Sequence, residues 1–103
     1  MRLPTDMVAF LEREAARAKC SAATLVSYAV RVSRPKVGRL DFASMLAAEA
    51  AAGFTGADYA TFTMPVSGAE LDGIEQVARE RDCNVALVVR AAIALATSDL
   101  AAY

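Results

Sequence analysis

The hydrophobic positions in the first third of the chain follow the period of amphipathic helices. Between Thr5 and about Ala18, apolar residues recur on one helical face, at Met7, Val8, Phe10, Leu11, Ala15 and Ala18. Thr5 is expected to cap this helix. After the polar break Lys19-Cys20-Ser21, with Ser21 as the next cap, a second stripe follows at Leu25, Val26, Ala29, Val30 and Val32. We expect this second helix to end at Ser33-Arg34-Pro35, because proline disfavours helical backbone in the residue before it.

The rest of the chain predicts a third helix, a strand and two further helices. Asp41 is a candidate cap for a helix over residues 41–52, with Gly53 as its stop and an apolar side formed by Phe42, Met45, Leu46 and Phe54. Thr61–Val66 alternates polar and apolar residues as a half-buried strand does. Ser67 and Glu70 have the spacing of a capping box at the start of a fourth helix, and Asn84 is expected to cap a fifth from Val85 to about Leu100.

The charged residues are distributed unevenly along a chain whose net charge is −1. Residues 1–39 carry eight basic and three acidic side chains, whereas residues 40–103 carry three basic and nine acidic ones. This division indicates that the two halves face different partners, with an anion opposite the first half and a protein opposite the acidic C-terminal half. An alternative is that two oppositely charged surfaces attract each other in an oligomer.

The composition argues against most kinds of catalytic or metal site. The chain has no histidine, and its two cysteines, Cys20 and Cys83, lie far apart in sequence, so histidine-based zinc sites and catalytic triads are excluded. We expect both cysteines to be reduced and partly buried, every carboxylate to lie on a solvent face or a cap, and the protein to be neither an enzyme nor a cofactor binder. Without a membrane-length apolar run or a secretory leader, a cytoplasmic location is expected.

The two ends of the chain resemble each other at an offset of 63 residues. The offset superimposes the helices, the break between them and the cap after the break; it pairs Cys20 with Cys83 and Ser21 with Asn84. Agreement in breaks and caps is a stronger sign of a repeat than matches among alanines. The same offset places Leu3 on Val66, so that the chain is expected to open with a short strand, which requires a partner strand.

In this pattern the chain resembles the ribbon-helix-helix (Arc/MetJ-type) family, on the residues Arg2-Leu3-Pro4 entering a helix and on Cys83–Ile93. The resemblance implies a single mainly α domain with two β-α-α units in one chain, residues 1–34 and 60–103. The linker between them (35–59), with its extra helix predicted at 41–52, has no counterpart in the family's basic unit. The tandem form is similar to relaxosome accessory proteins of conjugative plasmids. The strands could pair within one chain, giving a pseudo-dimeric monomer, or between two chains, giving a homodimer.

The resemblance also implies a role as a DNA-binding transcriptional regulator or plasmid transfer and maintenance factor. The ribbon would read base edges in the major groove of double-stranded DNA through Arg2, Thr61 and Thr63, with Pro65 at a further outward position where the family offers a polar side chain. Phosphates would be held at two helix starts, at Ser21, Ala22, Asn84 and Val85. From their charge, four basic residues are further candidates for contact with the DNA backbone, with a solvated helix end as the alternative: Arg31, Arg34, Lys36 and Arg39. The alternative is a protein-interaction module on the same fold, of antitoxin, antirepressor or assembly type.

Overall fold

The computed structural model describes residues 1–63 and 68–103, which form a mainly helical protein with one small antiparallel sheet. In chain order, the described elements are β1 (Arg2–Pro4), α1 (Thr5–Ala18), α2 (Ala22–Val37), α3 (Phe42–Ala51), β2 (Tyr59–Thr61), α4 (Gly68–Glu80), α5 (Val85–Leu95) and α6 (Thr97–Ala101).

The sheet is a two-stranded ribbon formed within one chain. Arg2 lies opposite Thr61, and Leu3 lies opposite Ala60. The pairing extends by one residue to Met1 and Phe62, which exchange both backbone hydrogen bonds at 2.7 and 3.2 Å. β1 leads directly into α1.

The strand predicted at Thr61–Val66 is misplaced, because the described strand begins earlier, at Tyr59. The position of β2 follows from its partner strand, because its three residues are those that pair with the three residues of β1. Thr63 therefore follows the strand and does not belong to it. Met64–Val66, with Pro65, and the predicted cap Ser67 lie outside the described residues.

The break between α1 and α2 is made as the sequence predicts, but the start of α1 is not. Lys19 adopts the left-handed conformation (φ 59°), and Ser21 Oγ accepts a hydrogen bond from the Thr24 amide at 3.1 Å. At the other end of α1, the cap position is Pro4, and no side chain caps the helix. Thr5 is already helical, and its amide donates to the Asp58 carbonyl instead (3.0 Å), which makes the predicted Thr5 cap wrong.

The second helix continues through Pro35, contrary to the predicted end at Ser33-Arg34-Pro35. Proline lacks an N–H and so loses one helical hydrogen bond, but the following turn still closes through the Gly38 amide and the Arg34 carbonyl at 2.9 Å. Val37 is 1% exposed in this last turn. Burial of Val37 offsets the free-energy cost of a proline inside the helix. A rule that considers only the residues next to proline does not include this tertiary contribution.

The linker helix α3 has the predicted cap and stop, but a different orientation. Asp41 accepts from the Ser44 amide at 2.7 Å, and Gly53 has a φ of +90°. Of the four residues expected on its apolar side, Met45 and Phe54 are buried, whereas Phe42 and Leu46 are exposed. The prediction for Phe42 and Leu46 is therefore wrong.

The C-terminal helices match the N-terminal pair in where they begin, and α5 has a side-chain cap equivalent to that of α2. α4 and α5 begin 63 residues after α1 and α2. Asp82 has φ 53° where Lys19 has 59°, and Asn84 accepts from the Leu87 amide at 2.8 Å. The predicted helix to Leu100 is divided at Ala96 into α5 and α6, and the Thr97 hydroxyl in the break donates to the Ala94 carbonyl at 3.5 Å.

The hydrophobic core lies mainly between α2 and α5, which pack closely against each other. Equivalent positions of the two helices line it: Leu25, Val26, Ala29 and Val30 on α2 and Val88, Val89, Ala92 and Ile93 on α5. Arginines link the two ends of the chain at the rim. Arg17 donates to the Leu100 carbonyl at 3.0 Å, and Arg81 donates to the Gly38 carbonyl. Arg17 lies near the end of α1, and Arg81 lies just after α4. Each of them thus binds a backbone carbonyl at the C-terminal end of a helix in the other half of the chain.

Candidate nucleic-acid interface

The exposed face of the ribbon brings together two of the three residues predicted to read bases. Arg2 and Thr61 face each other across the ribbon and are exposed, while Leu3 beneath them is fully buried. Arg2 and Leu3 thus alternate as expected of a ribbon with one face on the core, whereas Pro4, on the same side of β1 as Arg2, is buried. The Arg2 guanidinium donates to the Tyr59 carbonyl at 3.1 Å on the protein surface. Thr63 is exposed but follows the strand, so the structure does not place it in the ribbon.

The predicted phosphate contacts Ser21, Ala22, Asn84 and Val85 lie at two equivalent helix starts. Ser21 and Asn84 are exposed caps that each accept from the amide three residues on. The first amides of a helix have no partner within it, and the helix dipole makes this end positive. Each start can therefore receive an anion.

The two helix starts differ in charge. A depression at the start of α2 is lined by Ser21, Ala23, Thr24, Ser27 and Arg31, with no acid among them. The depression at the start of α5 is lined by Glu75, Asp82 and Arg79 beside Asn84. At the left-handed position before each helix, Lys19 corresponds to Asp82. The start of α2 is thus the better anion site of the two.

The basic segment predicted to contact phosphates does not form one surface. Arg31 lines the depression beside Ser21, with its guanidinium 5.8 Å from the centre of the Tyr28 ring. Arg34 and Lys36 are exposed in the last turns of α2, about 18 and 21 Å along the helix from its start at 1.5 Å per residue, and the exposed Arg39 lies just beyond the helix. The Arg34 guanidinium lies against Gly73 of α4, where a side chain would displace it.

A buried ion pair behind the ribbon contradicts the expectation that every acid is solvent-facing. Glu49 of α3 is 7% exposed, and its Oε2 lies 2.8 Å from Nε of Arg90 on α5. The N–H is poorly aimed at that oxygen, so the contact is an ion pair and not a hydrogen bond. Arg90 also lies 5.6 Å from the centre of the Tyr59 ring. Burial raises the pKa of Glu49, opposed by Arg90 and reinforced by Asp6.

Two residues in these sites were not singled out from the sequence. Lys19 had a usable signal, because it ends a helical stripe just before a cap, where left-handed residues are common. Glu49 had a weaker one: it is the single charged residue in the run Phe42–Ala51.

The cysteines are partly buried, as expected, and both are free thiols. Burial and the neighbouring Asp82 raise the pKa of the Cys83 thiol, which disfavours the reactive thiolate.

Within residues 1–63 and 68–103, no three Cys, Asp or Glu side chains are grouped so as to hold a metal ion. None of the helices in these ranges has both the length and the apolar character needed to cross a bilayer.

Comparison with protein-family models, curated proteins and solved structures returned no match for this chain.

Proposed function

We propose that this chain is a tandem ribbon-helix-helix protein that binds double-stranded DNA. The observation that carries the proposal is the exposed pair Arg2 and Thr61, opposite each other on a ribbon whose first strand leads directly into α1. A two-stranded ribbon fits the major groove, where an arginine can bind guanine and a threonine can contact several bases. Arg2 would give up a single exposed hydrogen bond, to the Tyr59 carbonyl, in order to reach a base.

The tandem arrangement is supported by the helices more than by the strands. Both helix pairs begin 63 residues apart, with a left-handed residue and a side-chain cap at equivalent positions. The strands differ: β1 adjoins α1, whereas β2 ends seven residues before α4 begins. Paired within one chain, the strands would make a pseudo-dimeric monomer.

The DNA backbone would be held mainly at the first unit. Ser21 caps the positive end of α2, the Arg31 side chain lines the depression beside it, and Lys19 lies two residues before the cap. At the start of α5, Glu75 and Asp82 repel phosphate. Such a protein would serve as a transcriptional regulator or a plasmid transfer and maintenance factor. The identity of the neighbouring genes would distinguish between these roles.

The test is fluorescence anisotropy at low salt with a labelled duplex from upstream of its own gene, against an unrelated duplex. Arg2→Ala and Thr61→Ala should each cost about 1–3 kcal/mol of discrimination between the two duplexes. Lys19→Ala should weaken binding to both alike and lower the salt dependence. Arg13→Ala and Thr55→Ala, exposed changes outside the ribbon and helix starts, are the matched controls. Failure to bind either duplex at low salt would defeat the proposal.

The second candidate is a protein-interaction module on the same fold, and the acidic start of α5 favours it. Glu75 and Asp82 would suit a basic protein segment where an anion is disfavoured. In that case the protein would retain a basic partner from its own cells but would ignore DNA. Asp82→Lys should then release the partner, whereas under the DNA proposal the same change should strengthen DNA binding.

A further inference from the structure

The outward face of α3 is apolar, the reverse of a normal surface helix. Six of its ten residues are exposed, and all six are apolar: Phe42, Ala43, Leu46, Ala47, Ala50 and Ala51. Phe42 keeps 50% and Leu46 40% of its surface exposed. A helix on the surface of a monomer ordinarily turns its polar side to water. The one charged residue of α3, Glu49, instead points inward.

The Glu49–Arg90 ion pair and the buried Met45 side chain hold α3 in this inverted orientation. An alanine-rich helix has no strong apolar stripe to determine which side faces the core. With its Oε2 2.8 Å from Arg90 Nε, Glu49 ties one side of α3 to α5. Turning α3 to bury Phe42 and Leu46 would break this pair and leave Arg90 without its acid partner, a costly change for a buried charge.

The charges near the two ends of α3 are complementary to each other. Arg39, which is exposed two residues before the cap Asp41, and Arg81, which donates to the Gly38 carbonyl, lie near the N-terminal end. Asp6, whose Oδ2 accepts from the Gly56 amide at 3.2 Å, and the exposed Asp58, whose carbonyl accepts from the Thr5 amide at 3.0 Å, lie in the segment that follows the C-terminal end. Apart from Asp41, these charges add to the helix dipole instead of opposing it. An antiparallel copy of α3 would compensate both ends.

We propose that α3 is the interface through which two copies of this chain associate, with the two α3 helices packed antiparallel about a twofold axis. Ala43 and Ala47 would let the helix backbones approach closely, with Phe42 and Leu46 of each copy covering the other. Arg39 of one copy would approach Asp58 of the second. The contacts of this proposed interface do not include Arg2 or Thr61 of the ribbon.

The size of the surface sets the strength of the association. A helix of ten residues is about 15 Å long, and its exposed face is smaller than the roughly 800 Å² per partner of a standard interface. The dimer is therefore weak and dependent on concentration.

The first test is sedimentation equilibrium of the full chain over a wide concentration range. The mass should rise from one chain toward two, and Leu46→Glu should raise the dissociation constant by at least about tenfold, because it buries a carboxylate. Leu71→Glu is the matched control: Leu71 is 37% exposed on α4, outside the proposed interface, and its change should leave the constant unaltered. Circular dichroism verifies that both variants are folded.

A charge exchange tests the antiparallel arrangement and the identity of the occupant. Arg39→Glu and Asp58→Lys should each weaken the dimer by about two- to fivefold, and the double variant should restore it. A wild-type chain that is monomeric at every concentration would overturn the proposal and leave the face to another protein. A dimer that survives Leu46→Glu, or that Leu71→Glu weakens equally, would overturn it as well.

Discussion

Glu49 is the residue whose surroundings are least suited to its charge. It lies between α3 and α5 with Arg90 as its ionic partner, and burial raises its pKa in spite of that partner. The attraction of Arg90 therefore does not fully compensate the loss of solvent around the carboxylate, as is common for buried ion pairs. The pair contributes orientation of α3 more than stability.

This balance predicts how Glu49 acts on stability as pH changes. The pKa of Glu49 is higher in the folded protein than in the unfolded chain. The stability that Glu49 contributes is therefore fully present below the usual glutamate pKa and is lost as pH rises through the raised pKa. In urea unfolding, the free energy of unfolding of Glu49→Gln should increase relative to that of the wild type as pH rises across that window. Arg90→Met should make the dependence of stability on pH steeper than in the wild type. Replacing both Glu49 and Arg90 with methionine should abolish the contribution of this pair to that dependence. A Glu49→Gln difference that is constant with pH would contradict this expectation.

At the scale of elements, three side-chain caps and the stops of α1 and α3 were predictable, whereas the start of α1, the end of α2 and the orientation of α3 were not. Ser21, Asp41 and Asn84 cap helices because a side chain binds an amide three residues on, a contact contained in the local sequence. The continuation of α2 past Pro35 depends on burial against distant residues, and so does the inward side of α3. The register of the ribbon likewise depends on which residues meet across the chain.

The left-handed residues that end α1 and α4 give a prediction at this scale. Lys19 and Asp82 adopt φ values of 59° and 53°, which a side chain makes costly and glycine does not. Lys19→Gly and Asp82→Gly should each raise the free energy of unfolding by about 0.5–1 kcal/mol, with the smaller gain at Asp82 because aspartate tolerates this conformation better. Ala16→Gly, inside α1, should instead cost about 1 kcal/mol. Thermal unfolding measures all three, and destabilisation by both end variants would contradict the cap geometry.

The whole molecule is held together by contacts between its two halves. The core lies between α2 and α5, the ribbon joins Arg2–Pro4 to Tyr59–Thr61, and arginines bridge the rims. The accessible surface of 5401 Å² is close to the roughly 5,500 Å² expected for a monomeric protein of this mass. One chain therefore buries its own core, and the second copy proposed above would cover only the small apolar face of α3.

Strand pairing within one chain can be tested with a disulfide across the ribbon. Met1 and Phe62 exchange both hydrogen bonds, so Arg2 and Thr61 form the neighbouring pair without hydrogen bonds, with Cα atoms about 4.5 Å apart, which suits a disulfide. In a chain with Cys20→Ser and Cys83→Ser, Arg2→Cys with Thr61→Cys should oxidise to a monomer of increased mobility on a non-reducing gel. Arg2→Cys with Thr55→Cys is the mismatched control and should not close. Disulfide-linked dimers as the main product would mean that the strands pair between chains, and the single-chain ribbon would then be wrong.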